Sequence, residues 1–466
     1  MYFKQFYLGC LAHASYLIGS QGVGVVIDPQ RDVDQYIEEA RKQELQIKYV
    51  IETHLHADFV SGHRELAERT GAEIVFGAKA NAKFPHVATK HGDLLKAGSL
   101  EMKVLETPGH TPESICVLVT DTSNPDAPAK LFSGDTLFIG DIGRPDLVAV
   151  KGHSAEEMAA SMYESLNQIL LKLDDQVEVY PAHGAGSLCG KSLSAEKSST
   201  IGREKKFNYA LQPMSKEAFI AMLIADQPEV PAYFPKDVEM NQTGASPLSA
   251  LPKPQLMQAA EVIKELQRGA VVLDVRDASK FAEGHIRGSY NISLSGQFAS
   301  WAGTIIEVGT PVILTADDFA QVEEAVMRLA RIGIESVIGF QCKTENEWCT
   351  QPFDIERSQL ISVNSLNERM SKSEQLLVID VRREGEFSAE HISGAVNIPL
   401  AELSTRLSEI PQDKEVAVIC AGGYRSSIGV SLLLRGNFSK VVNVIGGFSA
   451  WKKAGYTVVS KEPALA

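Results

Sequence analysis

Short apolar runs, each closed by a polar residue, set the rhythm of the first 190 positions. Val23–Asp28 is a β-branched run ending in Asp-Pro, which predicts a strand and a turn. Val33–Lys42 has the spacing of a helix. Tyr49–Glu52, Lys103–Glu106, Ile115–Thr120, Lys130–Ser133 and Val177–Tyr180 predict further strands. Four of these lead into His54, Pro108-Gly109-His110, Gly134-Asp135 and Pro181-Ala182-His183. A sheet can therefore aim each of these side chains from a rigid strand end. Residues 195–225 read as helical, and 227–254 carry six Pro and read as a linker.

The second half repeats itself. Leu273-Asp-Val-Arg, Phe281, Gly284-His-Ile, Gly288 and Asn291-Ile-Ser-Leu294 return as Ile379-Asp-Val-Arg, Phe387, Glu390-His-Ile, Gly394 and Asn397-Ile-Pro-Leu400. A period this long means a duplicated domain rather than a solenoid. Each copy alternates strand-like and helix-like segments, which predicts α/β architecture with a parallel sheet. At about 150 residues per domain the length also suggests three parts. The expected boundaries are 1–245, 250–357 and 358–466.

Composition narrows the function. The chain is 44% hydrophobic and 22% charged, as in ordinary globular protein. A net charge of −14 argues against nucleic acid or an anionic membrane as partner. Cys10, Cys116, Cys189, Cys342, Cys349 and Cys420 stand singly, with no Cys-x-x-Cys pair, so neither a zinc ribbon nor a disulfide framework is indicated. Reduced thiols suit a cytoplasmic setting. The N-terminus lacks a basic start followed by an apolar run, and no apolar stretch reaches about 18 residues. Neither a signal peptide nor a membrane span is therefore expected.

The candidate chemistry begins at Thr53-His54-Leu-His56-Ala-Asp58-Phe59. His54, His56, Asp58, His110, Asp135 and His183 are together too many loop-borne donors for a structural explanation, and they predict a metal site. The order resembles the metallo-β-lactamase superfamily, whose run continues with a His where this chain has Phe59. Phe ligates nothing, so a second metal loses a nitrogen ligand. The closer wording, THLHADF-x-SGH with PGHTPES, SGDTLFIGDIGRPD and YPAHGAGS, resembles the persulfide dioxygenase branch. That resemblance implies one Fe(II) per chain, held by His54, His110 and Asp135. Two His and one carboxylate form the facial triad of non-heme iron oxygenases. His56, Asp58 and His183 then become residues that orient the ligands, or buried groups without a chemical role. Arg144 would clamp a carboxylate of the thiol carrier or form a plain salt bridge. Cys189 would carry sulfur beside the metal pocket or be a passive loop thiol. The rival is a two-zinc thioester hydrolase of the glyoxalase-II kind with a rhodanese passenger.

In the last copy, Glu415–Ile419 runs into Cys420-Ala-Gly-Gly423-Tyr-Arg425-Ser426 and then an apolar helical segment. This loop turns backbone N–H groups inward and sets Cys420 at a helix N-terminus, and both favour a thiolate. Gly423 allows close approach, and Arg425 suits an oxyanion such as sulfite or thiosulfate, with Ser426 beside them. Residues 358–460 resemble the rhodanese family, which implies that Cys420 is the nucleophile. In the middle copy, Thr315, Asp317, Asp318 and Ala320 stand for the Cys, both Gly and the Arg, so 255–355 reads as a degenerate rhodanese-like domain. Cys342 and Cys349 look incidental.

The whole chain resembles fusions of a persulfide dioxygenase with two rhodanese domains, the first degenerate. The expected fold is an αββα metallo-β-lactamase sandwich followed by two α/β rhodanese domains. The expected partners are a low-molecular-weight persulfide, dioxygen, sulfite and thiosulfate, within a homo-oligomer (a dimer or tetramer).

Overall fold

The computed structural model describes residues 1–466 apart from 148–151, 192, 226, 228–229, 343–351, 373–374 and 461–466. Cys349 lies outside the described residues. The chain divides into two compact units. The first holds Met1–Leu251 with Leu329–Ile334, and the second holds Pro252–Arg328 with Glu335–Ala466.

Two six-stranded sheets build the first unit. One follows chain order from Tyr2–Leu8 to Val87–Thr89, antiparallel over three strands and parallel thereafter. The helices Asp34–Lys42 and His63–Thr70 make the crossovers that parallel pairing requires. The other sheet runs from Ser199–Thr200 through Glu178–Pro181, Lys130–Gly134, Ile115–Asp121 and Leu100–Glu106 to Leu94–Ala97.

Alternation along each strand explains the layers. Val25 and Ile27 face Met102, Val104, Val117 and Phe132 of the opposite sheet. Val26, between them, faces Tyr36 and Ala40 of a crossover helix. On the far side Leu105, Cys116, Leu131 and Val179 pack against Ala159, Met162 and Leu166 of the helix Ala155–Gln168. Each fully buried aliphatic side chain contributes about 1.5–3 kcal/mol of transfer free energy. The layer order is the expected αββα.

One expectation holds in part and one changes. Residues 195–225 form two helices, Ile201–Phe207 and Lys216–Ile224, capped by the hydroxyls of Thr200 and Ser215. Residues 227–254 are not a plain linker, because they contain the helix Phe234–Thr243. Pro235 lies in its first turn, where proline starts a helix instead of breaking one.

The second unit holds two five-stranded parallel sheets of identical order. In the middle copy the order is 255–256, 337–341, 312–315, 271–274 and 290–291; in the last it is 359–361, 441–444, 415–419, 376–380 and 396–397. Both copies share a bracket in which an arginine spans a strand-end Asp and a distant carbonyl. Arg276 holds Asp274 and the Gly284 carbonyl, and Arg382 holds Asp380 and the Glu390 carbonyl. Among the described residues, no helix is long and apolar enough to cross a membrane.

Candidate metal centre and sulfur-transfer loop

His54, His110 and Asp135 follow the strands Gln46–Ile51, Leu100–Glu106 and Lys130–Gly134. All three are buried, and their donor atoms lie within 4.8 Å of one another. Asp135 Oδ2 is 3.4 Å from His110 Nε2 and 3.8 Å from His54 Nε2. The opposite ring nitrogens are taken. His110 Nδ1 donates to the Arg144 carbonyl at 2.8 Å. Thr53 Oγ1 gives its one proton to Asp28 Oδ2 (2.9 Å), so it accepts from His54 Nδ1 at 3.0 Å. This network assigns bare Nε2 lone pairs to both imidazoles. Burial, and then His56, hold His54 well below the usual imidazole range. Burial would raise the Asp135 carboxyl, but His183 and His54 outweigh it and hold it well below the carboxylate range. Gly134 turns the chain at φ +51°, where a Cβ would press on Thr53 Oγ1.

The second His of the run stands outside this donor set. His56 Nε2 lies 3.2 Å from both Asp28 Oδ1 and Glu52 Oε2. Phe59 is buried, with its ring 4.5 Å from that of His56 and 4.1 Å from that of His13. His183 is strung between two carboxylates, with Nδ1 2.8 Å from Asp135 Oδ1 and Nε2 2.9 Å from Asp58 Oδ2. Burial opposes its protonation, yet Asp135 and Asp58 raise it to about 10. Cys189 is buried beside Asp58 and His183, their donor atoms also within 4.8 Å of one another. Burial, then Asp58 and Asp135, push its thiol well up. Arg144 is a brace: its guanidinium takes Asp146 at 2.7 and 2.6 Å and the Leu188 carbonyl at 3.3 Å.

Sequence reasoning missed the supports. Asn241 Nδ2 donates to the His56 and Phe59 carbonyls, and its Oδ1 accepts from Ser61 N, each at 2.8 Å. Glu113 Oε1 accepts from Leu55 N at 3.1 Å. His13 opens the strand His13–Ser20 with both ring nitrogens buried and unpartnered. A histidine heading an apolar run was the available signal for it. The helix around Asn241 is masked in the sequence by the prolines of the stretch 227–254, of which only Pro235 lies within it.

Cys420 ends the strand Glu415–Ile419, and the helix Tyr424–Arg435 starts four residues later. Gly423 N donates to Cys420 Sγ at 3.1 Å, from a left-handed φ of +107° that suits glycine. Ser426 Oγ lies 3.5 Å from the sulfur and 2.6 Å from Asn443 Oδ1. Arg425 puts its fork on Glu386, at 2.7 and 2.8 Å.

The middle copy departs by one residue from the sequence expectation. Asp274 pairs with Thr315 as Asp380 pairs with Ile419, so Ala316, not Thr315, takes the Cys420 position. The following helices start at Phe319 and Tyr424, so this loop is one residue shorter. Its ion pair is reversed: Lys280, at the place of Glu386, meets Asp317 at 2.8 Å. Cys342 also lies near, since Asp318 and Asp317, after burial, help push its thiol up to about 11.

Residues 8–183 match the profile of the metallo-beta-lactamase superfamily, and 258–340 and 362–454 match the rhodanese-like domain. A crystal structure of a metallo-beta-lactamase from Staphylococcus aureus subsp. aureus COL is 37% identical, at TM-score 0.67, covering 73% of this chain and 98% of that one. The chain belongs to the metallo-β-lactamase superfamily and continues in rhodanese-like domains. The hydroxyacylglutathione hydrolase of Francisella tularensis subsp. novicida (strain U112) is 31% identical, over 39% of this chain and 68% of that protein. A sulfurtransferase of Allochromatium vinosum (strain ATCC 17899) is 32% identical, over 22% of this chain and 95% of that protein. The superfamily fold implies a metal, and the residues fit one. His54 Nε2 is a buried lone pair without a hydrogen-bond partner, and His110 Nε2 and Asp135 Oδ2 converge with it.

Proposed function

We propose that the first unit oxidises a low-molecular-weight persulfide with dioxygen at one non-heme Fe(II) held by His54, His110 and Asp135. The products are sulfite and the free thiol, with one water supplying the third oxygen and two protons released. The observation that carries this reading is the donor set: two imidazoles and one carboxylate converge, while His56 and Phe59 stand apart. Iron in such a triad supplies open positions for persulfide and dioxygen, which a closed four-ligand site lacks. The residues around it orient and shield. Thr53 and the Arg144 carbonyl fix the two imidazoles, His183 fixes one oxygen of Asp135, and buried Phe59 keeps water away.

In the last copy Cys420 takes the outer sulfur of a second persulfide and releases its thiol. Sulfite then accepts that sulfur from the Cys420 persulfide, giving thiosulfate and restoring the thiolate. The Gly423 N–H, 3.1 Å from Sγ, suits the negative charge at each stage. One chain raises the local sulfite concentration at the second site.

A second reading, thioester hydrolysis with two zinc ions, draws on the hydroxyacylglutathione hydrolase relative. The deciding experiment is oxygen uptake by the anaerobically iron-loaded protein with a panel of persulfides. Sulfite-forming uptake and about one Fe per chain are expected. Two tightly bound Zn with thioester turnover and no uptake would overturn the proposal.

A further inference from the structure

The loop that carries Cys420 is held from two sides. Its first residues are fixed within the last copy, where Phe448 N and Ser449 N donate to the Cys420 and Ala421 carbonyls at 2.7 and 3.0 Å. Beyond Gly423 the chain reaches the middle copy. Tyr424 Oη donates to the Ser293 carbonyl at 3.0 Å, and a Cβ on Gly296 would stand 3.4 Å from its ring. Ser427 Oγ donates to Asn291 Oδ1. The receiving groups are themselves anchored. Asn291 Nδ2 donates to the Asp274 and Arg276 carbonyls at 3.1 and 3.0 Å. Arg328 holds the Leu294 and Gly296 carbonyls, and Ser293 Oγ donates to Asp277 Oδ1 at 2.8 Å. At the far end of the same helix Arg435 donates to the Gly288 carbonyl, with its guanidinium 3.8 Å from the centre of the Tyr290 ring.

We infer that Tyr424 and Ser427 are positioning residues, through which the middle copy sets the geometry of the sulfur-transfer loop. The inference rests on the Cys420 reading above and gives the degenerate copy a part in that step. Both residues adjoin groups that face the sulfur. Tyr424 follows Gly423, whose N–H meets Sγ, and Ser427 follows Ser426, whose hydroxyl lies 3.5 Å from it. Gly422 and Gly423 have no side chains to pin the backbone between them. A site that stores sulfur at one atom needs its donors held to within about 0.5 Å. The two bonds to the middle copy supply that restraint where the loop enters its helix. Arg425 has a separate anchor, Glu386 of its own copy. Loosening Tyr424 and Ser427 therefore disturbs the donors around Sγ and leaves the guanidinium held.

The test uses the full chain carrying Tyr424→Phe with Ser427→Ala, under anaerobic conditions. Sulfur transfer from thiosulfate to cyanide is followed as thiocyanate, and thermal unfolding is recorded beside it. The kcat is expected to fall at least about tenfold, while KM for thiosulfate stays within about twofold of wild type. Arg435→Gln is the control. It loosens the same contact about 16 Å further along the helix, so Tm falls and kcat stays at the wild-type value. A folded double variant with the wild-type kcat overturns the inference. So does an Arg435→Gln protein that loses as much kcat as the double variant, because the contact would then act only by holding the copies together. Should the double variant not fold, Tyr424→Phe alone, which removes one oxygen, is judged by the same constants, with a fall in kcat of at least about threefold expected. Failure of the Cys420 reading looks different, namely thiocyanate formed by Cys420→Ser at the wild-type rate.

Discussion

Replacing Thr53 by Val removes one oxygen and leaves the shape almost unchanged. That oxygen joins two networks, donating to Asp28 Oδ2 at 2.9 Å and accepting from His54 Nδ1 at 3.0 Å. Both partners are buried, so water cannot take over. Losing a hydrogen bond to a carboxylate costs about 1.5–3 kcal/mol, and the stranded imidazole N–H about 1–3 more. Preserved volume avoids a cavity cost, so the fall in stability is about 3–5 kcal/mol. For a unit of this size that is a drop in Tm of about 10 °C. The free His54 ring also loses its fixed tautomer, and metal affinity falls about 10–100-fold. Thr53→Ser keeps the hydroxyl and recovers most of both losses. Thermal unfolding and chelator competition on wild type and both variants give the numbers. A Thr53→Val protein with metal affinity within about twofold of wild type would refute the assignment of Thr53 as the tautomer lock.

Cys420→Ser in the full chain keeps oxygen uptake, releases sulfite in place of thiosulfate, and shows no residual transferase activity from the middle copy; thiosulfate at the wild-type rate would shift the role to Cys189. Asp135→Ala loses the metal and oxygen uptake yet transfers sulfur from added persulfide to added sulfite, as product chromatography would show; a variant that still consumes oxygen with persulfide would remove Asp135 from the ligand set. His285 is buried against Phe281, and burial pushes its imidazole down to about 4. The folded value lies below the unfolded one near 6.5, so this stability is complete above about 6.5 and is lost as pH falls towards 4, on the order of 3 kcal/mol. Denaturant midpoints at pH 7.5 and 4.5 should differ more for wild type than for His285→Gln; equal differences would sink the assignment.

The metal run, the strand-end placement of each donor and the Cys420 loop could all be read from residue order, because each depends on local spacing. The supports could not. Asp28, Glu52 and Thr53 sit in or beside a strand as ordinary polar residues, and only the fold brings His56 back onto the first two. Asn241 lies 185 residues from its His56 partner, inside a stretch whose prolines suggested a linker. Arg144 is claimed by a carboxylate two positions on, a pairing that its spacing allowed but did not demand. In the middle copy the motif comparison missed a one-residue deletion, which appears only when Thr315 is paired against Asp274 across the sheet.

The reversed ion pair of the middle copy bears on attempts to rebuild a second active domain. Both copies keep the arginine bracket, so the scaffold stands without the loop's chemistry. Grafting Cys-Ala-Gly-Gly-Tyr-Arg in place of residues 316–320 would restore the missing residue and the nucleophile. It would also set the new guanidinium opposite Lys280, cation against cation, where the last copy offers Glu386. A transplant would therefore need Lys280→Glu in the same step, and the loop and its facing helix form the smallest transferable part.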